Sequence, residues 1–235
     1  MTRVFLIQGL FLHALLWIVP LAALSQESGK DGAVLVLPKP AAQGGVSVEE
    51  AIASRRTRRS YSERPLPIEN VSQLLWAAQG ITGEDGVLRA APSGGALYPL
   101  DVYVVVGKKA VDGLDAGVYR YLPGRHGLQR ICEGDLRESM ARAGLGQMWM
   151  AQAPVSFVVT AEYRRIEIKY GSRGRRYALI EAGHACQNIS LQAEALGLAS
   201  GIVGAFDDQR LAEVLHLPKD HEPLIVMPVG HPAHP

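Results

Sequence analysis

The sequence predicts an α+β fold, a mixed and mainly antiparallel sheet with helices on both of its faces. Three observations carry this expectation. Two uninterrupted β-branched and aromatic runs, Asp101–Gly107 and Pro154–Ala161, are apolar on both sides and so belong in the middle of a sheet covered above and below. Two further runs, Gly117–Leu122 and Gly127–Ile131, flank Pro123-Gly124-Arg125-His126, the spacing of a hairpin and hence of antiparallel pairing. Helical periodicity falls between the strands rather than in a block of its own.

Taken in order, Arg3 precedes an apolar run from Val4 to Leu24, and Ala23-Leu24-Ser25 offers the small residues a signal peptidase reads. Residues 1–25 are therefore expected to be a signal peptide or, uncleaved, an N-terminal anchor, and either puts the rest of the chain outside the cytoplasm. No twin-arginine pair accompanies the run, which implies export of the unfolded chain. Residues 26–45, rich in Gly, Pro, Lys and Ala, read as a linker with one strand-like piece, Ala33–Leu37. The folded domain is expected over 46–235. Ser47 and Glu50 form a capping box for a helix toward Thr57, and a second helix follows Pro67, with Val71, Leu74, Leu75 and Ala78 on one face and Gly80 as its stop. Leu136–Ala143 has short helical character, and a long helix runs from Arg173 to Leu196, with Gly197 as the terminator. Ser200–Ala205 and Leu224–Val229 read as strands, separated by a short helix capped at Asp207 or Asp208.

Composition narrows the function. The 24 basic and 23 acidic residues of the 235 leave a formal charge of +1, which gives no support to a nucleic-acid partner. The charge is uneven, however. Arg55, Arg56, Arg58 and Arg59 form one basic cluster and Arg164, Arg165, Lys169, Arg173, Arg175 and Arg176 another, a pattern suited to a small anion. Cys132 and Cys186 lack the spacing of a zinc site, and no metal is expected. There is no HExxH, G-x-S-x-G, Walker lysine loop or G-x-G-x-x-G after a strand, so hydrolase and Rossmann readings lose their support.

Two segments could carry chemistry. Arg55-Arg56-Thr57-Arg58-Arg59-Ser60-Tyr61 lies where a short helix gives way to a loop, and its guanidinium and hydroxyl donors could grip a phosphate. An exposed basic helix end is the plainer reading. Ala91-Pro92-Ser93-Gly94-Gly95-Ala96-Leu97-Tyr98-Pro99 precedes the first central strand, and its glycines would let backbone approach a flat ligand. On its own it reads better as an ordinary turn.

In this order the two motifs resemble those of the nitroreductase superfamily of FMN enzymes, over about Val46 to Pro232. That family holds the FMN ribityl and phosphate with an Arg-Arg-Ser-x-Arg-x-Phe-like segment, on which Arg55, Arg56, Thr57 and Arg59 fall, with Tyr61 in the aromatic place. Its Pro-Ser loop, donated by a partner subunit, resembles Pro92, Ser93 and Gly94. The stretch whose backbone amide faces flavin N5 resembles Ile202-Val203-Gly204-Ala205-Phe206, which implies cofactor contacts from Val203 and Gly204. Lys169-Tyr170, the following Gly171–Tyr177, Glu181-Ala182-Gly183-His184 and Gln187-Asn188 resemble the SagB-type dehydrogenase branch, which includes enzymes that oxidise azolines in modified peptides. That branch has a functional Lys-Tyr pair where Lys169 and Tyr170 stand.

The resemblance implies an obligate homodimer, FMN as cofactor, and hydride transfer through flavin N5 to or from a small organic or peptide-derived substrate. The electron donor would be NAD(P)H or, outside the cytoplasm, a membrane redox partner. The alternative is a flavin-binding or scaffold protein of the same fold without turnover. Two departures from the pattern stand out: the chain ends Gly230-His231-Pro232-Ala233-His234-Pro235 without the usual basic residue, and Ala96 sits where relatives carry Asn. Arg173, Arg175 or Arg176 could complete the clamp.

Overall fold

The computed structural model describes residues 26–29, 32–84 and 86–233; the segment 1–25, expected as a signal peptide or anchor, lies outside them. Strands β1 (Gln26–Gly29) and β2 (Gly32–Val36) are followed by helices α1 (Val48–Ser54) and α2 (Ile68–Gln79). Then come β3 (Leu100–Val106), the hairpin β4 (Gly117–Leu122) and β5 (Gly127–Glu133), α3 (Arg137–Ala143) and β6 (Val155–Ala161). Helices α4 (Arg164–Tyr170) and α5 (Arg173–Ala195), strand β7 (Ala199–Ser200), helix α6 (Asp208–Val214) and strand β8 (Glu222–Gly230) complete the chain. The sheet order is β1-β2-β5-β4-β3-β6-β8-β7, and each of these neighbouring pairs is antiparallel. Parallel pairing is confined to isolated bridges, Thr57 with Ser200 and Leu66 with Val111. No described helix is long and apolar enough to cross a membrane.

Strand alternation divides the interior into two layers. Val102, Val104 and Val106 of β3, with Phe157 and Val159 of β6, point toward α2 and α5, while Tyr103, Val105 and Val158 point toward α3 and α6. Both strands are buried along their whole length, as their unbroken apolar character requires. The buried face of α5 is made largely of small residues, Gly174, Ala178, Ala182, Ala185, Cys186, Ser190 and Ala193, so this helix can lie close against its neighbours.

Local signals behave as their chemistry dictates. The Ser47 hydroxyl accepts from the Glu50 amide while the Glu50 carboxylate accepts from the Ser47 amide, and the Asp207 carboxylate accepts from the Arg210 amide. Three stretches differ from expectation. Residues 26–45 contain two strands, and β2 pairs with β5, since alternating Val34 and Val36 offer an edge partner to the hairpin. The strand expected at Ser200–Ala205 shortens to Ala199–Ser200, after which only Val203 bridges back to Val226. Helix α4 has no sequence periodicity, because Ile166 is its only buried residue.

His126 joins three of these elements. It follows the Pro123–Arg125 turn in a left-handed conformation, and its carbonyl accepts from the Leu37 amide. The Ser72 hydroxyl donates its one proton to the Pro38 carbonyl, so the imidazole Nε2 near both of them carries hydrogen and Nδ1 accepts from the Tyr121 hydroxyl. Burial holds this imidazole below the ordinary histidine pKa, with partial compensation from the Pro38 carbonyl, and His221 and His231 are shifted the same way, also by burial. A depressed folded-state value means stability present in full above the ordinary histidine value of about 6.5 and lost as pH falls through the folded value. The melting temperature should therefore decline from pH 7.5 to 5, and less steeply in His126→Gln. Equal slopes would exclude His126 from the effect.

Candidate functional site

The arginine segment leaves α1 at Arg55, whose backbone turns extended (φ −51°, ψ 122°). It then runs along the end of the sheet. Thr57 bridges Ser200, the Arg58 amide donates to the Ser200 carbonyl at 2.9 Å, and Tyr61 bridges Pro232. The buried Tyr61 hydroxyl lies 2.9 Å from the Arg58 carbonyl and 3.1 Å from that of Pro228, which ties the segment to β8. Burial raises the Tyr61 pKa well above the ordinary phenol value, against a smaller opposing effect of Arg59, so it stays a neutral donor. Arg56 folds back onto the Ala53 and Arg55 carbonyls, and Arg59 stacks over Trp149 at 5.6 Å. Among the described residues, none of the four arginines has a carboxylate in ion-pair contact. Four adjacent cations without counter-ions favour an anion.

Beside them runs the segment after β7. Val203 is buried, and its amide is committed to the Val226 carbonyl at 2.9 Å, so it holds the segment in place and has no N–H to offer a ligand. Gly204 differs. It is exposed and faces open space, so a planar molecule can approach its backbone. Gly201 is the tight point: a Cβ there would lie 2.9 Å from the Trp149 ring and 3.2 Å from the Arg58 carbonyl. Gly201→Ala should thus force the arginine segment and Trp149 apart and lower unfolding stability by about 1–3 kcal/mol, measured by denaturant titration. Unchanged stability would mean that the contact yields freely.

The second constellation forms around the Pro-Ser loop. The Ser93 hydroxyl accepts from the Tyr98 amide at 2.9 Å, and the Gly94 amide donates to Glu181 Oε1 at 2.8 Å. Gly95, Ala96 and Tyr98 all adopt positive φ (65°, 54° and 46°), so the loop coils tightly and Ala96 occupies a conformation that Asn tolerates better. Lys169 and Tyr170, at the end of α4, reach this loop: a Cβ on Gly95 would lie 2.9 Å from Lys169 Nζ and 3.0 Å from the Tyr170 hydroxyl. Tyr170 is steadied edge-on by Tyr177 at 5.0 Å, and Lys169 is exposed. Pro92 is exposed, whereas Ser93 and Gly94 are half-buried.

Glu181 is the residue that sequence reasoning left without a role. It is buried, and burial raises its pKa despite the Gly94 amide and the Ser93 hydroxyl bonded to it. An acidic residue among the small apolar side chains of a buried helix face was the available signal. Arg175 is committed to Glu222 at 2.7 Å and to the Tyr163 ring, so its side chain already has a structural partner. Asp101, Glu162 and His221 could in principle gather round a metal, but Arg120 and Arg165 already bond the two carboxylates.

Within one copy the two constellations do not meet through any described contact. Helix α5 separates them: Glu181 holds the Pro-Ser loop, while the Leu198 amide returns to Ala193, and the Ala199–Ser200 strand that carries the arginine segment follows. Ala193 lies 12 residues along the helix from Glu181, about 18 Å at 1.5 Å per residue.

The sequence pattern of the Nitroreductase family matches residues 52–231 of this architecture. The chain belongs to the nitroreductase family. A Methanocaldococcus jannaschii protein that carries the nitroreductase name is 42% identical over 185 residues, covering 79% of this chain and 91% of that protein. The FMN reductase [NAD(P)H] of Bacillus subtilis is 25% identical over 200 residues, with 79% of this chain and 66% of that protein covered. Among solved structures, the Escherichia coli microcin synthetase McbBCD complex with truncated pro-MccB17 bound superposes with a TM-score of 0.66 at 27% identity, covering 92% of this chain and 84% of that one. The last of these agrees with the SagB-type resemblance of this nitroreductase-family chain.

Proposed function

We propose that this chain is an FMN-dependent oxidoreductase that acts as a homodimer on a small organic or peptide-derived substrate. One observation carries the reading: two complementary half-sites lie at separate turns of α5, one rich in unpaired cations and the other lined by a glycine loop, Lys169 and Tyr170. Two copies in antiparallel apposition would bring the arginines of each against the loop of the other. The exposed apolar residues Val48 and Ile52 on α1 and Leu179 and Ile180 on α5 supply a surface that such an association would cover.

The donor set fits FMN. Arg55, Thr57 and Arg59 would hold its phosphate and ribityl chain, Gly204 would leave room for the flat ring, and Pro92, Ser93 and Gly94 of the partner copy would complete the site. Bound flavin would supply the hydride chemistry through N5. Lys169 would balance negative charge on a substrate atom, and the Tyr170 hydroxyl, within reach of the same loop, would hold or move a proton. Glu181 keeps the loop in the shape that presents both. The FMN reductase and the microcin synthetase among its relatives support an electron-transferring site open to small or peptide substrates. The Arg3-led apolar run supports action outside the cytoplasm, with NAD(P)H or a membrane redox partner as donor.

The test is anaerobic titration of the purified dimer with NADH, NADPH and a quinol, followed by the flavin absorbance and by reoxidation with an electron acceptor. Yellow protein that is reduced and then turns over is the expected result. Colourless protein that takes up no FMN would overturn the assignment, and bound flavin without turnover would leave the scaffold reading in its place.

A further inference from the structure

Behind the Pro-Ser loop and apart from the arginine segment, a cavity of about 360 Å³ opens between the end of α2, the start of β3 and the end of β4. Its walls combine apolar side chains, Leu97, Leu122 and Pro123 above the buried Leu100 and Val102, with a comparable share of polar surface, including Tyr98 and Tyr121. Four charged side chains enter it: Asp101, Arg89, Arg120 and Arg165.

Their charges do not cancel. Arg120 donates from Nε and Nη2 to Asp101 Oδ1 at 3.0 and 2.7 Å. Arg165 bridges Asp101 Oδ2 at 2.8 Å and Glu162 at 2.6 Å, and it donates to the Tyr98 carbonyl at 3.3 Å. Two guanidiniums are thus matched by two carboxylates. His221, beside this group at 3.7 Å from Asp101, adds no charge near neutrality because burial favours its neutral form. Arg89 is left over. It is half-buried, donates to the neutral Gln79 amide oxygen at 3.0 Å, stacks on Tyr98 at 4.1 Å, and has no ion-paired carboxylate among the described residues. The nearest carboxylate that acts on it, Asp101, is already shared by Arg120 and Arg165, so three guanidiniums face two carboxylates and the partly desolvated excess charge is one that an anion would relieve.

We propose that this cavity is a binding site for a small organic monocarboxylate, with Arg89 as its charge partner and the Leu100, Val102 and Leu122 wall receiving its apolar part. One uncompensated cation calls for one negative charge, and the planar guanidinium suits the two oxygens of a carboxylate. The apolar side chains that share the lining favour an organic anion over an inorganic one. Because Tyr98, which Arg89 covers, also holds Ser93 through its amide, occupancy of the cavity would bear directly on the Pro-Ser loop.

Benzoate and inorganic phosphate serve as probes on the full chain as purified, with binding followed by calorimetry and by melting temperature at constant ionic strength. Benzoate should bind and raise the melting temperature, and its affinity should fall about tenfold or more in Arg89→Gln. Arg55→Ala/Arg59→Ala should bind benzoate as the unaltered protein does, which separates this cavity from the phosphate clamp; should Arg89→Gln fail to fold, Leu122→Trp, which fills the cavity, takes its place and should likewise weaken binding about tenfold or more. No benzoate binding, equal binding by the cavity variant, loss of binding in the Arg55/Arg59 variant, or preference for phosphate would each overturn the proposal. Flavin content is read in parallel and should not change with Arg89→Gln, so failure here is distinct from failure of the FMN assignment.

Discussion

Replacing Arg55 and Arg59 together by Ala is expected to weaken FMN binding by a hundredfold or more, while the protein remains folded. Each charge-assisted hydrogen bond to a phosphate contributes about 1.5–3 kcal/mol, so loss of two removes about 3–6 kcal/mol of affinity. Folding should survive because neither side chain has an ion-paired carboxylate in the described structure, and the segment is held by the backbone of Thr57 and Arg58 and by Tyr61. Arg56→Ala should have a smaller effect, since its guanidinium is occupied by the Ala53 and Arg55 carbonyls. Flavin fluorescence quenching measures all three affinities. Equal affinity for the double variant and the parent would remove the arginine segment from the site.

Phe157→Ala is expected to be the most damaging single change to stability. Phe157 is fully buried at the centre of the sheet, opposite Val104 of β3 on one side and Met227 of β8 on the other. Truncation there leaves a cavity among side chains packed on both strands, and Phe-to-Ala changes at such positions remove about 3–5 kcal/mol. Against a total stability of about 5–15 kcal/mol for an ordinary domain, that is a large share. Denaturant unfolding should show a lower midpoint with an unchanged slope. A loss below about 1 kcal/mol would mean that the layer facing α2 and α5 recloses around the gap.

The elements with the strongest local chemistry were legible in the sequence. The β-branched runs of β3 and β6, the periodicity of α2, the capping box before α1 and the Gly197 stop after α5 all encode themselves in side-chain spacing, and the hairpin is marked by its turn residues. Helix α4 was not legible, because a helix that buries only Ile166 leaves no apolar repeat to read. Strand β7 read as longer than it is. Apolar Ile202 and Val203 look like strand residues, yet Gly201 is wedged against Trp149 and the chain departs from the ladder there.

The sequence by itself determined that this is an α+β chain with an arginine-rich segment and a glycine loop, since each depends on neighbouring residues and their spacing. Only the tertiary structure decided that Lys169 and Tyr170 cover that loop, that Glu181 fastens it, that Val203 lacks a free amide, and that Arg89 is left unmatched in its cavity. These depend on the order of strands and on the length of α5, which place residues far apart in the chain side by side. Local spacing carries no information about which distant group will neutralise a charge or occupy a hydrogen bond, and at this site those two outcomes govern the chemistry.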